Sequence, residues 1–343
     1  MLALRRRGPR DEHLMIGPLI AWAARIEAGI APPLRWGLLG VLGLLVLGAI
    51  AGVALPLLKP GKDYRELRQR VWSWWVMAAL IAGALVAGWQ ATLVLFMVIS
   101  FLALREFLSL APLRREDRLV ILLSYLIIIP SYGVLFLDRY GIYLVVIPVW
   151  AFLVIPFLMA CIGQTRAYLT TAATFHWGLM TCVFNLGFAA YLSRAPLVQA
   201  PEAGGAGLLF FLLLVTELND VAQYVWGKLF GRHKIIPKVS PNKTWEGFLG
   251  GWITTGLVIW FLGPMFTPMR GIGLATLAFG LPVAGFAGDV TMSAVKRDLG
   301  VKDTSHFIPG HGGVLDRADS LTFTAPLFFH LLLFFNMGQQ PWP

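Results

Sequence analysis

The sequence has 343 residues, of which 57% are hydrophobic and 13% are charged, and its mean hydropathy is +0.72. Soluble globular proteins carry about 25% charged residues, so this composition excludes a soluble globular protein and indicates one that lies in a lipid bilayer. The net charge is +10, but the basic residues lie mainly between apolar stretches. Because no basic stripe with interleaved aromatic residues occurs, we expect no nucleic-acid partner.

The chain begins with an Arg-rich N-terminus and a mildly apolar segment that Arg25 and Glu27 interrupt. This pattern favours an amphipathic helix at the membrane interface, so residues 1–33 are predicted as an interfacial segment. This segment is followed by apolar stretches of about 20 residues, the length that a spanning helix needs. The ten predicted spans are residues 34–58, 72–88, 91–108, 119–137, 141–160, 173–193, 206–226, 246–264, 270–289 and 320–337. Nine spans is the alternative, with residues 72–108 as one long broken helix.

Polar residues are distributed unevenly over these spans. Residues 34–205 resemble hydrophobic helices joined by short loops, whereas residues 206–343 concentrate acids, amides, lysines and glycines in two loops and the adjoining span ends. The sequence therefore predicts an all-α polytopic membrane protein of about nine or ten helices, with a polar site in the C-terminal region.

The basic residues predict the orientation of the spans, because cytoplasmic loops are enriched in Lys and Arg. Loops after the odd-numbered spans hold 19 such residues, against three after the even-numbered spans. This asymmetry places loops 227–246 and 291–319 in the cytoplasm, so the polar site faces the cytoplasm. The Arg-rich N-terminus then falls on the opposite side, which either a further span within residues 14–30 or a different number of early spans would correct.

The first polar cluster lies near the predicted cytoplasmic end of the seventh span and contains Glu217, Asn219 and Asp220. Charged groups inside a span are costly and usually face a cavity or a partner. Asn219 and Asp220 together indicate a site, and the alternative for Glu217 is a helix end that reaches water.

The second cluster is the basic loop that precedes the eighth span, where Ser240, Lys243, Thr244 and Glu246 stand out. Its cations create a positive field that suits an anionic ligand. Thr244 is predicted to cap the following helix, whose N-terminus favours phosphate. The alternative is an ordinary cytoplasmic loop.

The third cluster begins at the end of the ninth span. Its carboxylates are hard oxygen ligands that suit Mg²⁺, and its cations could neutralise a triphosphate. A glycine turn at residues 310–313 would let the backbone approach phosphate closely, and His311 within it is either structural or an acid or base. The acids are Asp289, Asp303, Asp316 and Asp319, and the cations are Lys296, Arg297, Lys302 and Arg317. The residues alone indicate a metal-dependent enzyme that acts on a phosphorylated lipid or a nucleotide.

The third cluster also carries a family motif. Within 27 residues and without a gap, the chain has Ser293-Ala-Val-Lys-Arg297, then Lys302-Asp303, Pro309-Gly-His-Gly-Gly313 and Asp316-Arg-Ala-Asp319. This series resembles the signature of the phosphatidate cytidylyltransferase (CDP-diacylglycerol synthase) family, as does the upstream stretch Ser240 to Gly247. The resemblance covers about the C-terminal third of the chain.

The resemblance implies an inner-membrane enzyme, usually a homodimer, that joins CTP to phosphatidic acid at a cytoplasm-facing site. Asp289 and Asp316 would hold a divalent metal, Mg²⁺, with a monovalent cation such as K⁺ nearby. Lys296 and Arg297 would contact phosphate, and His311 joins these four residues as a catalytic candidate. The substrate-binding candidates are Ser240, Lys243, Thr244, Glu246, Asp220, Lys302, Arg317 and Asp319.

The chain departs from the family pattern at three places. Ala318 replaces a larger hydrophobic residue, which affects packing more than chemistry. Asn219-Asp220 replaces an acidic-small pair, and Gln223 stands where the usual bacterial enzymes carry Ala. These last two changes resemble a paralogous branch and concern the acceptor more than the reaction, so another lipid phosphate is one alternative. An ion-coupled transporter and a non-catalytic paralog are the others.

Overall fold

The computed structural model describes residues 30–58, 63–163, 165–194 and 202–336. Within these ranges, ten helices are long and apolar enough to cross a membrane. The prediction of an all-α polytopic membrane protein is therefore confirmed, with ten spans rather than nine. The interfacial segment predicted for residues 1–33 lies almost wholly outside the described residues.

Six helices form the N-terminal half. They are α1 (Pro32–Leu58), α2 (Arg65–Ala87), α3 (Trp89–Leu110), α4 (Arg118–Phe136), α5 (Tyr140–Cys161) and α6 (Tyr168–Leu192). Helices α2 and α3 are separated by Gly88 alone, which adopts a φ of 109°. Such a φ is easily reached only by glycine, so residues 72–108 form two helices. Helices α5 and α6 each contain a π-helical turn, at Val146–Ala151 and Met180–Phe184.

The C-terminal half contains four longer helices, a short helix and a hairpin. The helices are α7 (Gly204–Phe230), α8 (Trp245–Phe266), α9 (Gly271–Asp298), the five-residue α10 (Val314–Ala318) and α11 (Leu321–Asn336). Strands β1 (Lys234–Ile236) and β2 (Ser240–Thr244) pair antiparallel between α7 and α8. The sequence did not predict this hairpin, whose strands are too short to show a periodic pattern.

Helix α9 ends nine residues later than the predicted span, at Asp298. Ser293, Lys296 and Arg297 therefore lie on a helix and not in a loop. Asp289, Ser293 and Lys296 are spaced four and three residues apart, so they share one face of α9.

The core of the bundle is aromatic. Tyr140, Phe188, Tyr191 and Phe329 are buried, and their rings contact one another across α5, α6 and α11. Aromatic pairs of this kind contribute beyond the area that they bury. This cluster fixes α11, which follows the signature residues, against the N-terminal half.

A buried hydroxyl pair joins α7 to α11. The Oγ1 atoms of Thr216 and Thr324 lie 3.0 Å apart, and both side chains are almost completely buried. Thr216 lies one helical turn before Asp220, and Thr324 one turn after Ser320. The pair therefore sets the register of the two helices beside the polar site.

We predict that Thr216→Val and Thr324→Val each lower the Tm in detergent, because each leaves one buried hydroxyl without its partner, at a cost of about 1–3 kcal/mol. The double variant should recover most of the loss, since two apolar groups of similar shape replace the pair. Additive losses in the double variant would show that the hydroxyl pair does not couple the helices. Circular dichroism on heating measures all three variants.

Candidate functional site

The two polar loops of the C-terminal half meet at one end of the bundle. The Arg297 guanidinium at the end of α9 donates to the carbonyl of Val239 in the hairpin (3.2 Å) and to that of Val301 (3.0 Å). Glu246 accepts hydrogen bonds from the backbone N–H groups of Arg232 and His233. Arg297 thus joins the hairpin to the end of α9. Glu246 lies in the first turn of α8, and its contacts are with the residues before β1 rather than with the other acids.

The predicted cap of α8 is confirmed. Thr244 accepts a hydrogen bond through Oγ1 from the backbone N–H of Gly247 (3.2 Å), three residues into the helix. A threonine in this position satisfies one of the free N–H groups of the first turn. The cap also fixes the chain direction at Lys243, the residue before it.

Three carboxylates from three elements converge below the hairpin. Asp220 comes from α7, Asp289 from α9 and Asp319 from the junction of α10 and α11. Ser320 donates to Asp220 (2.8 Å), and each of the three acids lies within electrostatic reach of the other two. Acids at this depth repel one another, so they need cations or hydrogen-bond donors between them.

Two lysines supply that compensation. Lys243, 18% exposed, pairs with Asp289 and donates to the side-chain oxygen of Gln223 (3.4 Å). Lys296, 12% exposed, lies 2.8 Å from Oδ1 of Asp316 and 4.0 Å from Oδ2 of Asp319. Both ammonium groups therefore lie beside the converging acids.

Asp316 has a different environment from the three converging acids. Its Oδ2 accepts from the backbone N–H groups of Thr304 (2.7 Å) and Gly313 (2.9 Å) and from the Thr304 hydroxyl (2.9 Å). Its Oδ1 accepts from Lys296. Both oxygens accept hydrogen bonds within the protein. This carboxylate therefore holds the loop between α9 and α10 (residues 299–313, called the signature loop below) in its conformation.

The remaining predicted residues lie around this centre. Ser240 is half-buried, and Lys302 and Arg317 are exposed. Burial first, and then the charge of Arg317, lower the pKa of His311 below its ordinary value, so the imidazole is neutral at pH 7. The His311 ring contacts Trp74 edge to face, with 6.0 Å between the ring centroids.

Oxygen ligands for a metal are present, although no three or more acidic, His or Cys side chains within the described ranges form a group that could hold a metal ion. The buried Oδ1 atoms of Asn219 and Asp220 have no hydrogen-bond partner. Two carboxylates together with substrate phosphates suffice for Mg²⁺, and Asp220, Asp289 and Asp319 are donors of the type that it takes. Asp289 has a serine hydroxyl at one oxygen and a lysine at the other, which a cation could replace. Oδ2 of Asp316 instead accepts three hydrogen bonds, two of them from backbone N–H groups.

Sequence reasoning missed Glu106, a buried carboxylate on α3 that hydrogen-bonds to the signature loop. Its one signal was an acid at the end of an apolar span, which is costly without a partner. It also missed the role of Thr304, whose hydroxyl lies between Glu106 and Asp316.

Comparison with known proteins identifies the family to which this chain belongs. Residues 68–335 match the model of the cytidylyltransferase family. An Escherichia coli protein named "Uncharacterized protein YnbB" is 39% identical over 84% of this chain and 95% of its own length. Phosphatidate cytidylyltransferases of Mycobacterium leprae and Haemophilus influenzae are each 41% identical over 41% and 38% of this chain, and these matches span about half of each enzyme (45% and 47%). The chain therefore belongs to the cytidylyltransferase family and is a CTP-dependent nucleotidyltransferase.

Proposed function

We propose that the protein transfers the cytidylyl group of CTP to phosphatidic acid, giving CDP-diacylglycerol and pyrophosphate. The observation that carries the proposal is the convergence of Asp220, Asp289 and Asp319 on Lys243 and Lys296 at one end of a membrane bundle. Acids and cations in such proximity suit a substrate that carries several phosphates together with its counter-cation. The names of the Mycobacterium and Haemophilus relatives support the acceptor.

In the proposed reaction, an oxygen of the lipid phosphate forms a bond to the α-phosphorus of CTP. The bond from that phosphorus to the bridging oxygen of the β-phosphate breaks, and pyrophosphate leaves with the bonding electrons. The attacking phosphate is already ionised, so the protein need not supply a general base. Charge neutralisation and in-line positioning are the main tasks.

The lysines suit those tasks because each can exchange a carboxylate partner for a phosphate. Lys243, between the hairpin and Asp289, is placed to contact one substrate phosphate. Lys296, between Asp316 and Asp319, is placed to stabilise the charge that develops on the pyrophosphate. His311, neutral at pH 7, adds no charge to this field.

Asp289, Asp319 and Asp220 are the residues that would hold a divalent cation together with the substrate phosphates. When bound it would supply neutralisation of the triphosphate charge. We assign Asp316 a positioning role in place of the metal-ligand role that the resemblance implied, since its Oδ2 accepts three hydrogen bonds, two of them from backbone N–H groups. Both oxygens of Asp289 are engaged as well, but by a serine hydroxyl and the Lys243 ammonium, which a cation could replace.

We further propose that the protein is a homodimer in the inner membrane, as the resemblance implies, and that its site faces the cytoplasm. The asymmetry of Lys and Arg between the loops supports this orientation. The contact of Arg297 with the hairpin supports it as well, because it brings the two most polar loops to one side. CTP would then meet the site from the cytoplasm.

The deciding experiment is CTP-dependent conversion of phosphatidic acid by detergent-purified protein. We expect a CDP-lipid and pyrophosphate in equal amounts, with Mg²⁺ required and EDTA abolishing turnover. CTP protection against heat without turnover on phosphatidic acid would show that the acceptor is another lipid phosphate. Neither turnover nor CTP binding would contradict the proposal entirely.

Removing a carboxylate tests which acids hold the cation. Asp289→Asn and Asp319→Asn should each lower kcat by about 10²–10³-fold, the loss expected for one preorganised charge-stabilising group. Both should also raise the Mg²⁺ concentration that gives half-maximal rate in the folded fraction. Their Tm should fall as well, because Lys243 or Lys296 loses a carboxylate partner. Asp298→Asn, at the exposed end of α9, is the matched control and should leave kcat unchanged.

Asp316→Asn separates positioning from metal binding. The new amide must face backbone N–H donors with an NH₂ group, so we expect a lower Tm and an unchanged Mg²⁺ requirement in the fraction that stays folded. A shifted Mg²⁺ requirement at an unchanged Tm would restore Asp316 to the ligand set.

Removing the charge of Lys243 tests whether this residue contacts a substrate phosphate. Lys243→Gln should raise the KM for CTP or for phosphatidic acid by about 10-fold or more, because a charge-assisted hydrogen bond contributes about 1.5–3 kcal/mol. The control is Lys238→Gln, a change of the same chemistry in the exposed hairpin turn. If both variants keep the wild-type KM and kcat, Lys243 does not contact phosphate.

A further inference from the structure

Glu106 lies on α3, in the half of the chain that shows few polar groups at membrane depth. Its carboxylate is buried and accepts four hydrogen bonds, all from residues about 200 positions later in the chain. The donors are the hydroxyls of Thr304 (3.1 Å) and Ser305 (2.7 Å) and the backbone N–H groups of Val314 (3.0 Å) and Leu315 (2.9 Å). All four donors belong to the signature loop or to α10, which follows it.

The two backbone donors are the first N–H groups of α10, which have no partner within the helix. The residue before them is Gly313, and glycine has no side chain with which to cap a helix. Glu106 therefore acts as the cap of α10 from another helix. A negative charge at this end also interacts favourably with the helix dipole.

The glycine makes this contact sterically possible. A Cβ atom at Gly313 would lie 2.4 Å from Oε2 of Glu106 and 2.2 Å from the hydroxyl oxygen of Thr304. Any larger residue would displace the carboxylate from the start of the helix. The space beside Gly313 is thus filled by a carboxylate of the protein, not left open for a phosphate as the sequence suggested.

Glu106 and Asp316 share one donor residue. The hydroxyl of Thr304 lies 3.1 Å from Oε2 of Glu106 and 2.9 Å from Oδ2 of Asp316. Asp316 in turn holds Lys296, which also faces Asp319. A continuous chain of polar contacts therefore runs from α3 to the ammonium group beside the converging acids.

A second helix of the N-terminal half holds the other side of the same loop. The hydroxyl of Ser73 on α2 donates to the carbonyl of Pro309 (2.7 Å), and Trp74 packs on His311. Helices α2 and α3, which lie outside the signature, therefore both hold the signature loop.

We infer that Glu106 is a positioning residue for nucleotidyl transfer, which holds α10 and the signature loop so that Asp316 directs Lys296 toward the substrate phosphates. This inference rests on the proposed function for its catalytic consequence and on contacts alone for its structural part. Glu106 touches no reacting atom in this account, so its removal should affect the rate more than substrate binding.

The test compares Glu106→Gln, Glu106→Asp and the control Glu116→Gln, an exposed acid just beyond α3. We expect Glu106→Gln to lower kcat by about 10–100-fold, the range found for groups that orient the residues in contact with a reacting centre. The KM values for CTP and lipid should change less than about threefold. Glu106→Asp, which keeps the charge, should retain more kcat than Glu106→Gln, and Glu116→Gln should match the wild type.

Hydrogen–deuterium exchange provides a second test, which needs no substrate. Peptides containing Val314 and Leu315 should exchange faster in Glu106→Gln than in the wild type, while core peptides of α6 remain protected. Unchanged exchange at the start of α10 would overturn the inference, and so would a wild-type kcat in Glu106→Gln. If wild-type protein does not turn over phosphatidic acid, the proposed function fails, and the exchange result alone then decides whether Glu106 holds the loop.

Discussion

The buried ammonium group of Lys296, shared between Asp316 and Asp319, is the interaction on which the polar end of this bundle depends. Removing either partner from a buried ion pair leaves an uncompensated charge, which is strongly destabilising. The same condition applies to Lys243 and Asp289. Four separate elements, the hairpin, α7, α9 and the α10–α11 junction, must therefore meet in one arrangement for any of these charges to be tolerated.

This mutual dependence gives the N-terminal helices a role beyond anchoring. The signature loop leads into the five-residue α10, and so short a helix has little intrinsic stability. Glu106 on α3 caps this helix, and Ser73 on α2 holds the loop before it. The hydrophobic half of the chain is thus also a scaffold, in which two buried polar side chains, Ser73 and Glu106, hydrogen-bond to the polar half.

The sequence predicted the elements that depend on local patterns. Span number follows from runs of apolar residues, and the cap at Thr244 follows from residue type and position. The motifs also drew attention to acids and lysines that the structure brings together at one end of the bundle. Which acid meets which lysine was not predictable, because Asp316 and Asp289 are both carboxylates in the same stretch and differ only in the donors around them. The role of Glu106 was not predictable either, because its partners lie about 200 residues away in the sequence.

Asp220 lies ten residues before the end of α7, and Asp289 lies nine residues before the end of α9. At 1.5 Å of rise per residue, about 14 Å of helix separates these acids from the helix ends. Under the proposed function, the nucleotide comes from water and the acceptor from the bilayer, so the two substrates would approach these acids from different sides. Attachment to the membrane would then help to select the acceptor phosphate before any side chain contacts it.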